Sequence, residues 1–151
     1  MTWAGAPTVY YGDEAGVCGF TDPDNRRTYP WGHEDKELID FHKAAIKMHK
    51  ENEVLRTGSY KQLYSAHNVI AYGRFTSDDA VIVVVNNGED EIRVNIPAWE
   101  TGLAMDDDVE QIMVTFEGGY STDRQGYRLK DGILNIGLRK TSATVLRRLR
   151  W

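Results

Sequence analysis

The chain has 151 residues, with 18 Lys and Arg against 23 Asp and Glu, for a formal net charge of −5. That acidic balance argues against nucleic-acid binding, which needs concentrated cations for phosphate contacts, and the single cysteine, Cys18, rules out an internal disulfide. No apolar run reaches the roughly 20 residues of a membrane helix, no secretory leader is visible and the cellular location stays open; 14 glycines and 11% aromatics lean toward a β-rich fold.

Thr8 to Tyr11 is a short apolar and aromatic run bounded by Pro7 and Gly12, and it predicts a strand buried on both sides. Gly12 to Gly32 reads as a long loop. Loops beyond about 12–15 residues are usually functional or disordered, and Phe20, Tyr29 and Trp31 speak against disorder. A strand feeding a polar, Gly-rich loop is how α/β barrels build binding sites at their strand ends. Nothing precedes this strand to form the rest of a barrel, so the sequence reads as the tail of something larger.

Glu34 to Asn52 predicts a helix. Leu38, Phe41, Ala45, Ile46 and His49 share one face. Glu34, Asp35 and Glu37 open it and Lys47 and Lys50 close it, in accord with the helix dipole. Leu55 to Ser59 then reads as a turn.

From Tyr60 onward the period becomes two. Predicted strands are Tyr60–Ser65, Val69–Phe75, Ala80–Asn86, Ile92–Ile96, Gln111–Thr115, Tyr127–Leu129, Ile133–Ile136 and Ala143–Leu149. Turn residues separate them: Ser77-Asp78-Asp79, Asn86-Asn87-Gly88 and Lys130-Asp131-Gly132, the last two carrying favoured hairpin dipeptides. Ala98 to Asp108 reads as a solvated loop. The basic end, Arg147-Arg148-Leu149-Arg150, reads as alternation in a last strand.

The expected fold is therefore mainly β. An antiparallel Greek-key β-sandwich at 59–151 follows an incomplete unit at 1–58, the last strand, loop and helix of a truncated (β/α)8 barrel. A lone barrel strand cannot hide its edges. Residues 1–33 are expected to be disordered, recruited as a strand elsewhere, or paired with another copy, with the helix packed on the sandwich through Leu38, Phe41 and Ile46.

Asp13 and Glu14 are not a catalytic pair, because neighbours on an extended chain point to opposite faces; loop anchoring suits them better. Asp22 and Arg26 can converge on one ligand. A carboxylate accepts and a guanidinium donates in a fixed fork, which suits the vicinal hydroxyls of a neutral sugar, while Tyr29 and Trp31 offer flat faces to a pyranose ring. The plainer alternative is an Asp22–Arg26 or Asp24–Arg27 ion pair that pins the loop, with Trp31 in the core. His33, His42, His49 and His67 form no ligand array, and Asp22-Pro23-Asp24-Asn25 lacks the ligand alternation of a calcium loop. Cys18 reads as a small packed side chain. Ser65 and Ser121 lack the glycines of a nucleophile elbow.

The residues Ala6-Pro7-Thr8-Val9-Tyr10-Tyr11-Gly12-Asp13-Glu14-Ala15-Gly16 resemble the eighth-strand segment of the alpha-amylase family of glycoside hydrolases. Gly19 to Trp31 resembles the neopullulanase, cyclomaltodextrinase and amylopullulanase branch. Leu38 to Asn52 resembles the last barrel helix and Val54 to Gly58 the junction into a C-terminal β-sandwich, whose last strands Ile133–Ile136 and Thr141–Leu146 resemble. The resemblance implies a parent enzyme that is a retaining hydrolase of starch-type glucans. Its catalytic carboxylates lie on earlier strands, so no catalytic residue carries over and the chain alone is expected to be inactive. It also places Asp22 and Arg26 at loop positions that contact glucose. An α-glucan and the remainder of the barrel are the implied partners, with no cofactor, metal, nucleic acid or membrane. For the β-domain two roles are open: a glucan-binding module using aromatics such as Trp99 or Tyr120, or a structural part that shields the barrel or mediates self-association.

Overall fold

The computed structural model describes residues 1–149; Arg150 of the basic end lies outside them. Two helices, α1 (Lys36–Glu51) and α2 (Glu53–Thr57), precede nine strands. These are β1 (Ser59–Ala66), β2 (Val69–Phe75), β3 (Ala80–Asn86), β4 (Ile92–Pro97), β5 (Asp108–Phe116), β6 (Gly119–Ser121), β7 (Gln125–Arg128), β8 (Ile133–Leu138) and β9 (Ser142–Arg148). All pairings are antiparallel. The larger sheet runs β1-β2-β3-β9-β5-β6 with β7 also on β5, and β4 and β8 form a separate two-stranded sheet. The fold is mainly β, as the period of the sequence predicts.

Strand β3 explains the layering. Its residues alternate between two apolar clusters. Ala80, Ile82 and Val84 meet Val94, Ile96, Leu134, Ile136 and Leu138 of the small sheet. Val81 and Val83 meet Ala45, Met48, Val54 and Leu55 of the helices. A strand covered on both faces needs no polar side, which is why it reads as an unbroken apolar run.

Two bulges adjust this pattern. The β1–β2 register shifts between Gln62 and Tyr64, so Leu63 and Tyr64 both reach the inter-sheet core. The β5–β9 register shifts between Gln111 and Met113, so Ile112 and Met113 both reach the helix side. An extra residue in one strand is what breaks the period of two.

Asp35 starts α1, its carboxylate accepting the Leu38 N–H at 2.9 Å. The helix packs through Phe41, Ala44, Ala45 and Met48. That face is rotated from the predicted one: Leu38 and Ile46 are half-buried and stay outside the cluster with the sheet. The predicted turn at Leu55 to Ser59 is instead the short helix α2 running into β1, with Val54 and Leu55 buried. Part of the predicted loop at 98–108 is a 3-10 turn, Ala98–Thr101, and β5 starts at Asp108, earlier than the period suggests.

The predicted strand at Thr8 to Tyr11 does not form a ladder. Val9, Tyr10 and Tyr11 are 39%, 52% and 45% exposed. A strand needs a neighbour, and here the Tyr10 N–H turns to the Asp13 carboxylate at 3.0 Å instead. Asn86-Asn87-Gly88 is also not a hairpin. It carries the chain from β3 to β4 in the other sheet, and the Asn86 amide donates to the carbonyls of Asp90 and Arg139, each at 2.9 Å.

Candidate functional site

The loop at 12–32 is shaped by its own backbone and acids. Gly12 has φ 88°, and a Cβ there would sit 2.8 Å from Val17 Cγ2. Its carbonyl accepts from Ala15 and Val17 N–H, both at 3.0 Å. Its N–H donates to Glu14 Oε2 at 3.1 Å. Asp13 and Glu14 are thus loop anchors. The Asp35 N–H donates to the Ala15 carbonyl at 3.1 Å, which ties the loop to the start of α1.

Farther out, Arg26 Nη2 lies 2.6 Å from Asp22 Oδ2, with the side chains 61% and 62% exposed. Arg27 Nη2 lies 2.7 Å from Asp24 Oδ1. That hydrogen bond from Arg27 holds the Asp24 carboxyl below its ordinary range. The Phe20 N–H donates to Asp24 Oδ2 at 3.1 Å, and the Tyr11 hydroxyl donates to the Arg27 carbonyl at 2.8 Å. Both ion pairs named as the plainer alternative are therefore present. An exposed pair contributes about 0–1 kcal/mol, so the loop takes its shape mainly from backbone turns. At that exposure Asp22 and Arg26 retain acceptor and donor capacity for a ligand.

Tyr29 and Trp31 pack with their ring centroids 4.5 Å apart and their planes tilted by 49°. Trp31 is 79% exposed and Phe20 86% exposed. Trp31 is thus outside the core, with its ring face on the surface. Burial, then the negative charges of Glu14 and Glu34, push the Tyr29 phenol up. Cys18 is exposed, a correction to its reading as a packed side chain; its thiol turns to the Gly16 carbonyl at 3.6 Å instead.

Elsewhere His42 Nδ1 bonds the Leu38 carbonyl at 2.9 Å and His49 Nδ1 the Met1 carbonyl at 2.6 Å. Among the described residues no three His, Cys, Asp or Glu side chains come together as a metal site, and no helix is long and apolar enough to cross a membrane. Trp99 is 48% exposed. Tyr120 is half-buried, with its ring 5.4 Å from that of Phe41 on α1.

One residue escaped the sequence reading. Arg74 is 2% exposed. Its Nη1 donates to the carbonyls of Thr2 and Trp3 at 3.2 and 3.1 Å, and its Nη2 to that of Gly58 at 2.8 Å. Trp3 in turn packs at 5.0 Å against both Tyr60 and Tyr72. A lone arginine inside the apolar run of β2 was the available signal.

No protein-family model matches the chain. It is 44% identical over 100 residues to an amylopullulanase of Thermoanaerobacter thermohydrosulfuricus, across 59% of this chain and 7% of that protein. It is 42% identical over 89 residues to a cyclomaltodextrinase of Thermoanaerobacter pseudethanolicus, across 58% of this chain and 16% of that protein. By these matches the chain is similar to the C-terminal part of alpha-amylase-family enzymes. Its fold agrees. It superposes on an alpha-amylase from Geobacillus thermoleovorans, solved with acarbose, with a TM-score of 0.77 at 23% identity, covering 93% of this chain and 29% of that one. The chain thus spans well under a fifth of these curated relatives and under a third of that solved alpha-amylase.

Proposed function

We propose that the chain is the C-terminal part of a retaining α-glucan hydrolase acting on starch, maltodextrin or pullulan. Residues 1–58 complete its barrel, and residues 59–151 form a β-domain that supports them. In this reading Asp22 and Arg26 contact glucose units, and the nucleophile and acid/base carboxylates that such chemistry requires belong to the rest of the enzyme. The observation that carries it is the placement of exposed apolar side chains. Trp3, Val9, Tyr10, Tyr11, Phe20 and Trp31 are all at least 39% exposed, and exposed apolar patches of this kind mark contact surfaces. Their natural cover is the remaining barrel, and the names of the relatives support a glucan substrate.

The purified chain is expected to release no reducing sugar from maltodextrin, pullulan or cyclodextrin. A chimera tests the site directly. The matching segment of the Thermoanaerobacter cyclomaltodextrinase is replaced by this chain, and Asp22→Ala and Arg26→Ala are assayed on maltooligosaccharides. Each is expected to lower kcat/KM about tenfold or more, the scale of a lost hydrogen bond to a charged group. Unchanged kinetics in both variants would remove these residues from the site.

A further inference from the structure

The segment that leaves β3 carries an Asn followed by a Gly, at Asn87 and Gly88. That order of residues is chemically labile. The backbone nitrogen of the second residue can lose its proton and attack the side-chain carboxamide carbon of the first. Ammonia leaves and a five-membered succinimide closes. Water then opens the ring at one carbonyl or the other, to give aspartate or isoaspartate, so that one water enters for each ammonia lost. Glycine favours the reaction because no side chain shields its nitrogen and its dihedrals turn freely.

Asn87 is exposed, so water and hydroxide reach it. The attacking nitrogen beside it is engaged. The Gly88 N–H donates to Asn86 Oδ1 at 2.9 Å, the bond of an Asn side chain to the backbone two residues on. The Gly88 carbonyl accepts from the Thr141 N–H at 3.0 Å, and the Asn87 N–H donates to the Asn68 carbonyl at 2.7 Å. Ring closure must rotate the peptide group between Asn87 and Gly88 and remove its proton. The bond to Asn86 opposes both steps, because it fixes the orientation and an amide oxygen is too weak a base to take the proton. Asn86 cannot swing aside: it is 2% exposed, and its own nitrogen is tied to the Asp90 and Arg139 carbonyls.

The same chemistry threatens Asp131-Gly132, where water rather than ammonia would leave. There the Gly132 N–H donates to the Met105 carbonyl at 2.8 Å. Both glycine nitrogens are thus held, but only at Gly88 is the acceptor a side chain that a substitution can remove. We propose that Asn87 is a latent deamidation site and that the Asn86 carboxamide is its guard. Conversion would add a negative charge beside Glu89, Asp90 and Glu91, where like charges repel. Isoaspartate would also add a carbon to the main chain at the crossover from the large sheet to the small one. The site therefore stays intact while the crossover is closed and reacts when it opens.

The test is peptide mapping by mass spectrometry of the full 151-residue chain held at mildly alkaline pH, with a synthetic peptide of residues 82–94 as the unprotected reference. Asn87 is expected to convert about tenfold more slowly in the chain than in the peptide, and the Gly88 amide to exchange its hydrogen more slowly as well. Asn86→Ala is expected to speed conversion about three- to tenfold. Asn86→Ser loses the same bonds to Asp90 and Arg139 but keeps an oxygen that can accept two residues on, and its rate is expected to fall between. Ile82→Ala weakens the core without touching the turn and is expected to leave the rate near that of the unaltered chain. Conversion in the chain at the peptide's rate, a Gly88 amide that exchanges as in the peptide, equal acceleration by Ala and Ser, or equal acceleration by Ile82→Ala would each overturn the guard.

Discussion

Phe20 and Ile82 are both large apolar side chains, yet they are 86% and 1% exposed. The difference lies in cover rather than in residue type. Ile82 sits in a sheet with a small sheet on one side and helices on the other. Phe20 sits on the outer part of a loop that is tied to the start of α1 at Ala15, away from its own ring. Through residues 1–35 only Gly12 and Ala15 are buried, although the segment carries Trp3, Tyr10, Tyr11, Phe20, Tyr29 and Trp31. The N-terminal region therefore has the composition of a packed element without a packing partner. The β region has composition and partner together.

The sharpest way to break this contrast is to truncate each residue. Ile82→Ala is expected to lower unfolding free energy by about 2–5 kcal/mol in urea denaturation, through lost burial and the cavity left behind. Phe20→Ala is expected to stay within about 0.5 kcal/mol. Equal losses would mean that the loop is packed in solution.

Arg74 is where the two regions are joined. Arg74→Leu removes three hydrogen bonds from a charged donor and is expected to cost about 2–4 kcal/mol. It should also loosen residues 1–3, seen as faster amide exchange there and a change in Trp3 fluorescence. A uniform destabilisation with no local loosening would deny its role as a clasp.

A smaller effect is expected at the helix start. Asp35→Ala should cost about 1 kcal/mol as a lost N-cap, read as a lower thermal midpoint by circular dichroism. The smallest concerns Glu34, whose carboxyl is held at about 2, first by its hydrogen bond from Lys36 and then by backbone N–H groups. A depressed carboxyl contributes stability above its ordinary value of 4.5, lost as pH falls through about 2. Lys36→Ala is expected to raise the Glu34 titration midpoint toward 4.5, followed by side-chain carboxyl NMR.

The comparison also explains what was legible. Val69–Phe75 and Ala80–Asn86 stand at the bounds that their apolar residues and flanking turns predict, because both strands are interior and fully paired. Asp131 and Gly132 adopt positive φ of 53° and 75° at the predicted turn, as a dipeptide that tolerates the left-handed region should. The strand β6 was not legible, since Gly119, Tyr120 and Ser121 are too few to show a period. Thr8–Tyr11 reads as a strand because its residue types suit burial, and types alone do not supply a neighbour. Asp22 and Arg26 could be placed together from their spacing, as the 2.6 Å contact shows. The role of Arg74 could not, because it depends on segments far apart in sequence meeting at one point.

The two-sided strand β3 has a practical corollary. The apolar cluster under α1 includes Val81, Val83, Ile112, Met113 and Val145. A polypeptide begun at Ser59 would present that greasy underside bare to water, and its copies would stick to one another. Whoever wishes to produce the β-domain by itself should carry the helix along as its roof, or repaint those five positions with polar side chains first.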